Sequence, residues 1–299
     1  MPSNAKDLDL AKQGLNWTLI GPPKSGKTHF ARSAVDWVLA RGKSAKAFIA
    51  PRAESVGYAG RDMEYEVLED PEWDSANKRF ETTMAATFDR QLAAWEKATP
   101  APGVLVLDTM NKGPSTGVLH RIIREEGNDN FQQLNNRFQP YMTYALRMEP
   151  LMARLDLFRW RTGAHVIMLW HQEMKEYQPS GISHVEQDKV GGQFKTFTHY
   201  RQAMLPEMWG KQSQESVLAY SDMAFYTAPV LNSNPYRCQL HVLSDGIRQA
   251  GARVPILGDL QKMPNGVPNE FGRLMEVVAK LGGTGRPAAG GPVTEGVAK

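Results

Sequence analysis

The stretch Gly21-Pro22-Pro23-Lys24-Ser25-Gly26-Lys27-Thr28 limits the possible folds of this chain more than any other. It satisfies G-x-x-x-x-G-K-[ST], the pattern of a phosphate-binding loop, which has to leave a strand and open a helix. Thr18, Leu19 and Ile20 make a short β-type apolar run just before it. After it, Phe30, Ala31, Ala34, Val35, Val38 and Leu39 recur at helical spacing, and Gly42 ends the run. Each residue type has a chemical reason to be there. Gly21 and Gly26 let backbone N–H groups turn inward around phosphate oxygens, where a Cβ would obstruct them. Lys27, expected as a surface-loop cation, supplies a point charge to the β- and γ-phosphates, and the Thr28 hydroxyl ligates Mg²⁺. The helix that opens here aims its positive end at the same anion. The pattern predicts binding of a nucleoside triphosphate with Mg²⁺.

With 299 residues, the chain has room for one large α/β domain or two small ones. Its 41% hydrophobic content supports a buried core, and no apolar run reaches the roughly 18 residues of a membrane span. Met1 to Leu15 is polar and mixed in charge, unlike a secretory signal, and reads as a flexible lead-in. The single cysteine, Cys238, excludes an internal disulfide or a cysteine-rich metal site, and a reducing, cytoplasmic setting is expected. A net charge of +3 is too small to argue for nucleic acid by itself.

Periodicity predicts an α/β fold, a phosphate-loop core with a mostly parallel central sheet extended by antiparallel strands near the C-terminus. A helix is expected from Lys27 to Arg41 and a strand from Ala45 to Ala50, with residues 52–80 irregular and acidic. Phe88, Leu92 and Trp95 mark one helical face. Val104–Asp108 and His165–Trp170 read as strands buried on both faces. Between them lies a helical region, 111–163, punctuated by Pro140 and Pro150. Ser216–Val230 and Tyr236–Ser244 are expected as antiparallel strands, and Glu270–Leu281 as a closing helix. The expected ATPase domain spans 16–281, followed by a disordered tail, 282–299.

A triphosphatase also needs a carboxylate for its magnesium shell and a residue that activates water. Asp108, ending an apolar strand, is the candidate for the shell, with Thr109 beside it. Glu54, just past the second strand, is the preferred activator of water, with Glu64 and Glu66 competing for the role. His171 and Gln172 leave the strand expected beside Asp108, where a polar side chain can touch the γ-phosphate.

These elements in this order resemble the RecA-type core of strand-exchange ATPases. More narrowly, the chain resembles the phage-encoded nucleotide-binding ATPases associated with single-strand annealing. The resemblance covers roughly residues 14 to 280 and rests on Gly21–Thr28, the Glu54 loop, Val104–Thr109 and His165–Gln172. It implies ATP as nucleotide, Mg²⁺ as metal, Glu54 activating water and His171 sensing the γ-phosphate. It further implies a homo-oligomeric filament or ring in the host cytoplasm, with no membrane association. Arg248 or Arg253 would reach a neighbouring subunit's nucleotide, and a single-strand-binding or annealing protein would be a partner.

The same resemblance implies contact with single-stranded DNA after His171. Lys189, Lys195 and Arg201 suit phosphates, while Phe194, Phe197 and Tyr200 suit stacking on unpaired bases. An ordinary hairpin with inward aromatics is the alternative for that segment. For the whole chain the alternatives are a small-molecule kinase and a non-hydrolysing nucleotide-dependent adaptor. No compact arginine-rich lid accompanies Arg121 and Arg124 to favour the kinase.

Overall fold

The computed structural model describes residues 13–69, 83–125, 139–177, 183–187, 194–198, 201–208, 217–230, 238–242, 250–252, 260 and 267–282. Strand β1 (Asn16–Gly21) leads through the glycine-rich loop into α1 (Lys27–Leu39) and then β2 (Ala45–Ile49). A 3-10 helix (Arg52–Tyr58), β3 (Glu64–Val67), α2 (Met84–Glu96) and β4 (Val104–Asp108) follow. Next come α3 (Pro114–Glu125), α4 (Gln139–Thr162) and the long β5 (His165–Tyr177). Then come β6 (Ser183–Gln187), β7 (Phe194–Thr198), β8 (Arg201–Pro206), β9 (Met223–Pro229), β10 (Cys238–His241), β11 (Gly251–Ala252), β12 (Val267–Pro268) and α5 (Phe271–Gly282).

The sheet runs β12-β10-β9-β1-β5-β4-β2-β3, parallel from β3 to β9 and antiparallel beyond. Its inner strands obey a strict period of two. Leu19, Ala47, Val106, Ile167 and Leu169 join the core beneath α1 and α5, while Ile20, Phe48, Leu105, Leu107, Met168 and Trp170 face the core of α2, α3 and α4. Two covered faces explain why Val104–Leu107 reads as an unbroken apolar run. Trp17 and Trp170 are fully buried, one on each side.

Several expectations need correction. Residues 52–67 are not irregular: the 3-10 helix packs on α1, and β3 extends the sheet beside β2. Glu64 alternates with Tyr65 and Val67 too briefly for a clear period-two signal, so a parallel edge strand was hidden there. Pro150 does not break its helix but sits inside α4. The strand expected from Ser216 starts only at Met223. β5 runs past His171 to Tyr177, and its outer half pairs antiparallel with β8. Of the expected lead-in 1–15 and the tail, residues 1–12 and 283–299 lie outside the described residues, whereas Leu15 is not flexible lead-in but buried, with its N–H donating to His165. Among the described residues no helix is long and apolar enough to cross a membrane.

Topology fixes where a ligand fits. From β1 the chain passes to β2 on the β5 side, whereas from β5 it passes to β9 on the other side of β1. Connections that diverge in this way open a crevice at the carboxyl ends of the strands. Gly21 aligns with His171 and Ile49 with Asp108, so three loops meet at that edge.

Candidate functional site

At Gly26 the loop turns into α1 with φ of 91°, in the left-handed region. A Cβ there would meet Asn269 Nδ2 at 2.5 Å and Cys238 Cβ at 2.8 Å, so only glycine fits the conformation and the space. Asn269 also donates to the Gly26 carbonyl over 2.8 Å, tying the loop to the segment before α5. A Cβ on Gly21 would meet Thr227 Oγ1 at 2.4 Å. The Thr227 hydroxyl pairs with that of Ser25 at 2.6 Å, so β9 supports the loop from beneath. Pro22 is half-buried, and Pro23 and Lys24 form the exposed crest.

Lys27 is buried, contrary to the expectation of a surface cation. Its ammonium donates to the carbonyls of Gly21 (2.8 Å) and Pro22 (2.7 Å). Burial lowers its pKa to about 8, against the opposing pull of Asp108 and Glu54. Thr28, one residue on, donates its hydroxyl to Asp108 Oδ2 over 2.9 Å.

Asp108 ends β4 on the parity that faces α1, which is why it reaches Thr28 across 80 residues of chain. Tyr58, from the 3-10 helix, donates to the same oxygen over 2.8 Å. The other carboxylate oxygen, Oδ1, is buried without a hydrogen-bond partner. Burial raises the Asp108 pKa to about 6, although the Tyr58 and Thr28 hydrogen bonds favour the ionised form. Burial also holds the Tyr58 phenol well above its ordinary value.

Glu54 is half-buried on the same 3-10 helix. Its charge is felt at Lys27, Tyr58 and Asp108, which places it beside this cluster. Glu64 is engaged elsewhere: it accepts from Lys46 at 2.5 Å and Trp95 at 2.6 Å, three positions below the carboxyl end of β2. Glu66 lies within β3, opposite Phe48. Thr109 donates to the Ala50 carbonyl, joining the β4 and β2 loops.

His171 sits beside Gly21, and its Nδ1 is buried without a partner. Burial lowers its pKa to about 4, with Lys27 and Lys112 pushing the same way. Its backbone N–H donates to Asn111 Oδ1 (3.3 Å), Asn111 Nδ2 donates to Glu207 Oε2 (2.9 Å), and the Glu207 N–H donates back to the His171 carbonyl (2.8 Å). Gln172 accepts from the Tyr226 hydroxyl.

The structure therefore brings together Gly21, Gly26, Lys27, Thr28, Glu54, Asp108 and His171. Phe194, Lys195 and Phe197 fall on β7, which pairs with β6, and Arg201 begins β8. The side chains of those four, and all of Lys189, Tyr200, Arg248 and Arg253, lie outside the described residues. Sequence reading missed Tyr58, Asn111, Glu207, Thr227 and Asn269. Asn111, three residues after Asp108, carried a local signal as a polar residue at a strand's carboxyl end. The other four are brought in by tertiary packing alone.

Chemically, the arrangement is a glycine-shaped cradle at a helix N-terminus, with a buried ammonium and a hydroxyl–carboxylate pair at its edge. It suits an anion accompanied by a hard cation. The chain matches no protein-family model and no curated protein. Among solved structures it is similar to the flagellar accessory protein FlaH of Methanocaldococcus jannaschii, at 10% identity over 78% of this chain and 79% of that one. The TM-score is 0.38, a likeness that carries no functional inference.

Proposed function

We propose that this chain is a Mg²⁺-dependent ATPase with a RecA-like core that acts on single-stranded DNA in recombination or annealing. The observation that carries the nucleotide reading is the Thr28–Asp108 hydrogen bond beside the buried Lys27. It joins the glycine-rich loop to the carboxylate proposed for the magnesium shell, 80 residues further along the chain. The donor set fits Mg²⁺, since both groups offer oxygen and Asp108 Oδ1 has no protein partner.

In this reading the loop N–H groups and the α1 N-terminus hold the phosphates, and Lys27 exchanges its bonds to the Gly21 and Pro22 carbonyls for phosphate oxygens. Thr28 and Asp108 would hold Mg²⁺, which would supply charge neutralisation to the bound phosphates. Glu54 orients and deprotonates water. His171, neutral at pH 7, offers one ring nitrogen as donor next to Gly21.

The DNA half of the proposal is supported by connectivity. The strand that carries His171 continues without a break into the β5–β8 ribbon, and the β6–β7 pair lies between them in sequence. A filament or ring of this chain, with a single-strand-binding or annealing protein as partner, is the proposed assembly.

The test is phosphate release from ATP and from GTP with Mg²⁺, with and without single-stranded DNA. Mg²⁺-dependent release that DNA accelerates is expected. Nucleotide binding without release would favour an adaptor. Release without any salt-sensitive affinity for single strands would remove the DNA half.

A further inference from the structure

The 3-10 helix Arg52–Tyr58 follows β2 and has one side on the site and the other in solvent. Val56 is 76% exposed, whereas Tyr58 is buried in the core beneath α1. Gly57, between them, has no side chain to hold the helix away, since a Cβ there would meet Thr28 Cγ2 at 2.5 Å. The helix backbone therefore rests on the first turn of α1, and its last residue reaches the end of β4.

There Tyr58 donates its hydroxyl to Asp108 Oδ2 over 2.8 Å, and Thr28 donates to the same oxygen over 2.9 Å. An ionised carboxylate accepts at two sites on each oxygen, so these two donors fill Oδ2. Oδ1 is buried and has no partner. The carboxylate is thus fixed about its last bond, with one oxygen closed and the other open.

The phenol does this without bringing charge. A lysine or arginine in its place would also fix Asp108, but would set a positive charge against any cation the carboxylate is to hold. Thr28 differs from Tyr58 in standing within the glycine-rich loop. It can keep its hydrogen on Oδ2 and still offer oxygen lone pairs to a cation. The Tyr58 bond has a second consequence. Glu54 lies four residues earlier on the same helix, and its charge is felt at Lys27, Tyr58 and Asp108. Anchoring the helix end on Asp108 therefore fixes the two carboxylates relative to each other.

We propose that Tyr58 is a positioning residue of the metal site, holding Asp108 so that Oδ1 is the oxygen left open to Mg²⁺ and tying the helix of Glu54 to the same carboxylate. This assignment rests on the ATPase reading of the site. Tyr58 acts through Asp108 rather than on the nucleotide.

The test measures the affinity of the full chain for a fluorescent, non-hydrolysable ATP analogue, once with Mg²⁺ and once with excess chelator. The ratio of the two dissociation constants isolates the share that depends on the metal, because the loop contacts to phosphate are common to both. Tyr58→Phe keeps the buried ring and removes the hydroxyl. Its affinity in chelator should match the parent within about twofold, while the gain from Mg²⁺ should shrink by about tenfold or more, the scale of losing a group that orients a metal ligand. On an Asp108→Asn background, Tyr58→Phe should change that gain by less than about twofold, since the carboxylate it orients is already gone. Tyr65→Phe, on the exposed edge strand β3, should behave as the parent. A Tyr58→Phe gain equal to that of the parent overturns the proposal. So does an undiminished effect on the Asp108→Asn background. A loss of affinity that is the same with and without Mg²⁺, or a Tyr58→Phe chain that does not fold, also overturns it and makes the hydroxyl a structural group only. A parent that binds no analogue, or gains nothing from Mg²⁺, removes the ATPase reading itself and the assignment with it.

Discussion

At the amino ends of β1, β5 and β9, buried polar groups are matched almost atom for atom. Arg159 donates to the Gly14 carbonyl (2.9 Å) and twice to Asp156 (2.9 and 2.7 Å). Asn16 gives its side-chain amide to Asp156 (2.8 Å) and its backbone N–H to Asp222 (2.8 Å). His165, neutral, accepts from the Leu15 N–H over 3.1 Å. Among the described residues there, only Asn16 Oδ1 lacks a partner. The carboxyl ends of the same sheet are arranged differently. Asp108 Oδ1 and His171 Nδ1 have no partner, and burial pushes Lys27 down to about 8 and Asp108 up to about 6.

The contrast separates a structural clamp from a site. Groups at the amino ends satisfy one another, so nothing is left for a ligand to do. At the carboxyl ends Lys27 and Asp108 are each drawn toward their neutral forms, which costs folding stability at neutral pH. A polyanion would stabilise the charged form of Lys27 and a cation that of Asp108. Buried, under-satisfied charges of this kind are typical of functional sites, where stability is given up for binding.

The largest expected effect is that of Lys27→Ala. It should reduce Mg²⁺-ATP turnover to background while leaving Tm at pH 7 equal or higher, because a desolvated ammonium is removed. A marked fall in Tm would make Lys27 part of the clamp rather than the site. Arg159→Ala should do the reverse. Removing one partner of a buried ionic network costs about 3–5 kcal/mol in a denaturant titration, and nucleotide affinity of the folded fraction should not change. Weakened affinity with unchanged stability would erase the distinction between the two ends.

Asp108→Asn tests both properties at once. Turnover should fall by roughly 10² to 10³, the scale of losing one charge-stabilising group. Stability should move the other way. The folded-state pKa of Asp108 lies above the ordinary carboxylate value of 3.8, so its ionised form burdens the fold above about pH 6. That burden lifts as pH falls through 6. The variant should therefore show a higher Tm than the parent at pH 7.5 and no advantage at pH values near 4. An equal Tm difference at both ends of that range would show that Asp108 is not held toward its neutral form.

What was legible in the sequence divides along physical lines. Strands β1, β2, β4 and the inner part of β5 announced themselves because both their faces are buried, and the loop because its chemistry demands glycine at two positions. Asp108 and His171 followed from strand ends. Lys27 being buried did not, since its partners are two carbonyls of its own loop, and no residue pattern records how a loop folds back. Tyr58 reaches Asp108 only because the 3-10 helix lies on Thr28, where a Cβ on Gly57 would meet Thr28 Cγ2 at 2.5 Å. Proline inside α4 misled for a related reason. The cost of one missing hydrogen bond is local, whereas Tyr144, Met148, Met152, Leu155 and Phe158 bury a stripe along the helix that offsets it.

The smallest effect sets the two histidines of β5 against each other. His165 and His171 begin and follow the same buried run, and burial lowers both, to about 3 and about 4 respectively. A histidine kept neutral by the fold contributes stability that is present above its unfolded pKa of about 6.5 and is lost as pH falls toward the folded value. Both should therefore make the fold acid-sensitive below pH 6.5. Only His171 is next to the loop, so only its share should respond to a bound phosphate, whose charge favours the imidazolium. The measurement is Tm between pH 7 and pH 4.5 for the parent, His165→Gln and His171→Gln, with and without a non-hydrolysable ATP analogue and Mg²⁺. Taking differences between parent and variant cancels the opposite contribution of Asp108. Down to pH 4.5, which stays above both folded values, the two differences should be of similar size without the analogue, and the His165 difference should not change with it. The His171 difference should shrink when the analogue is present. If the analogue alters the His165 difference instead, the two ends of the sheet are coupled, and the amino end is more than a clamp.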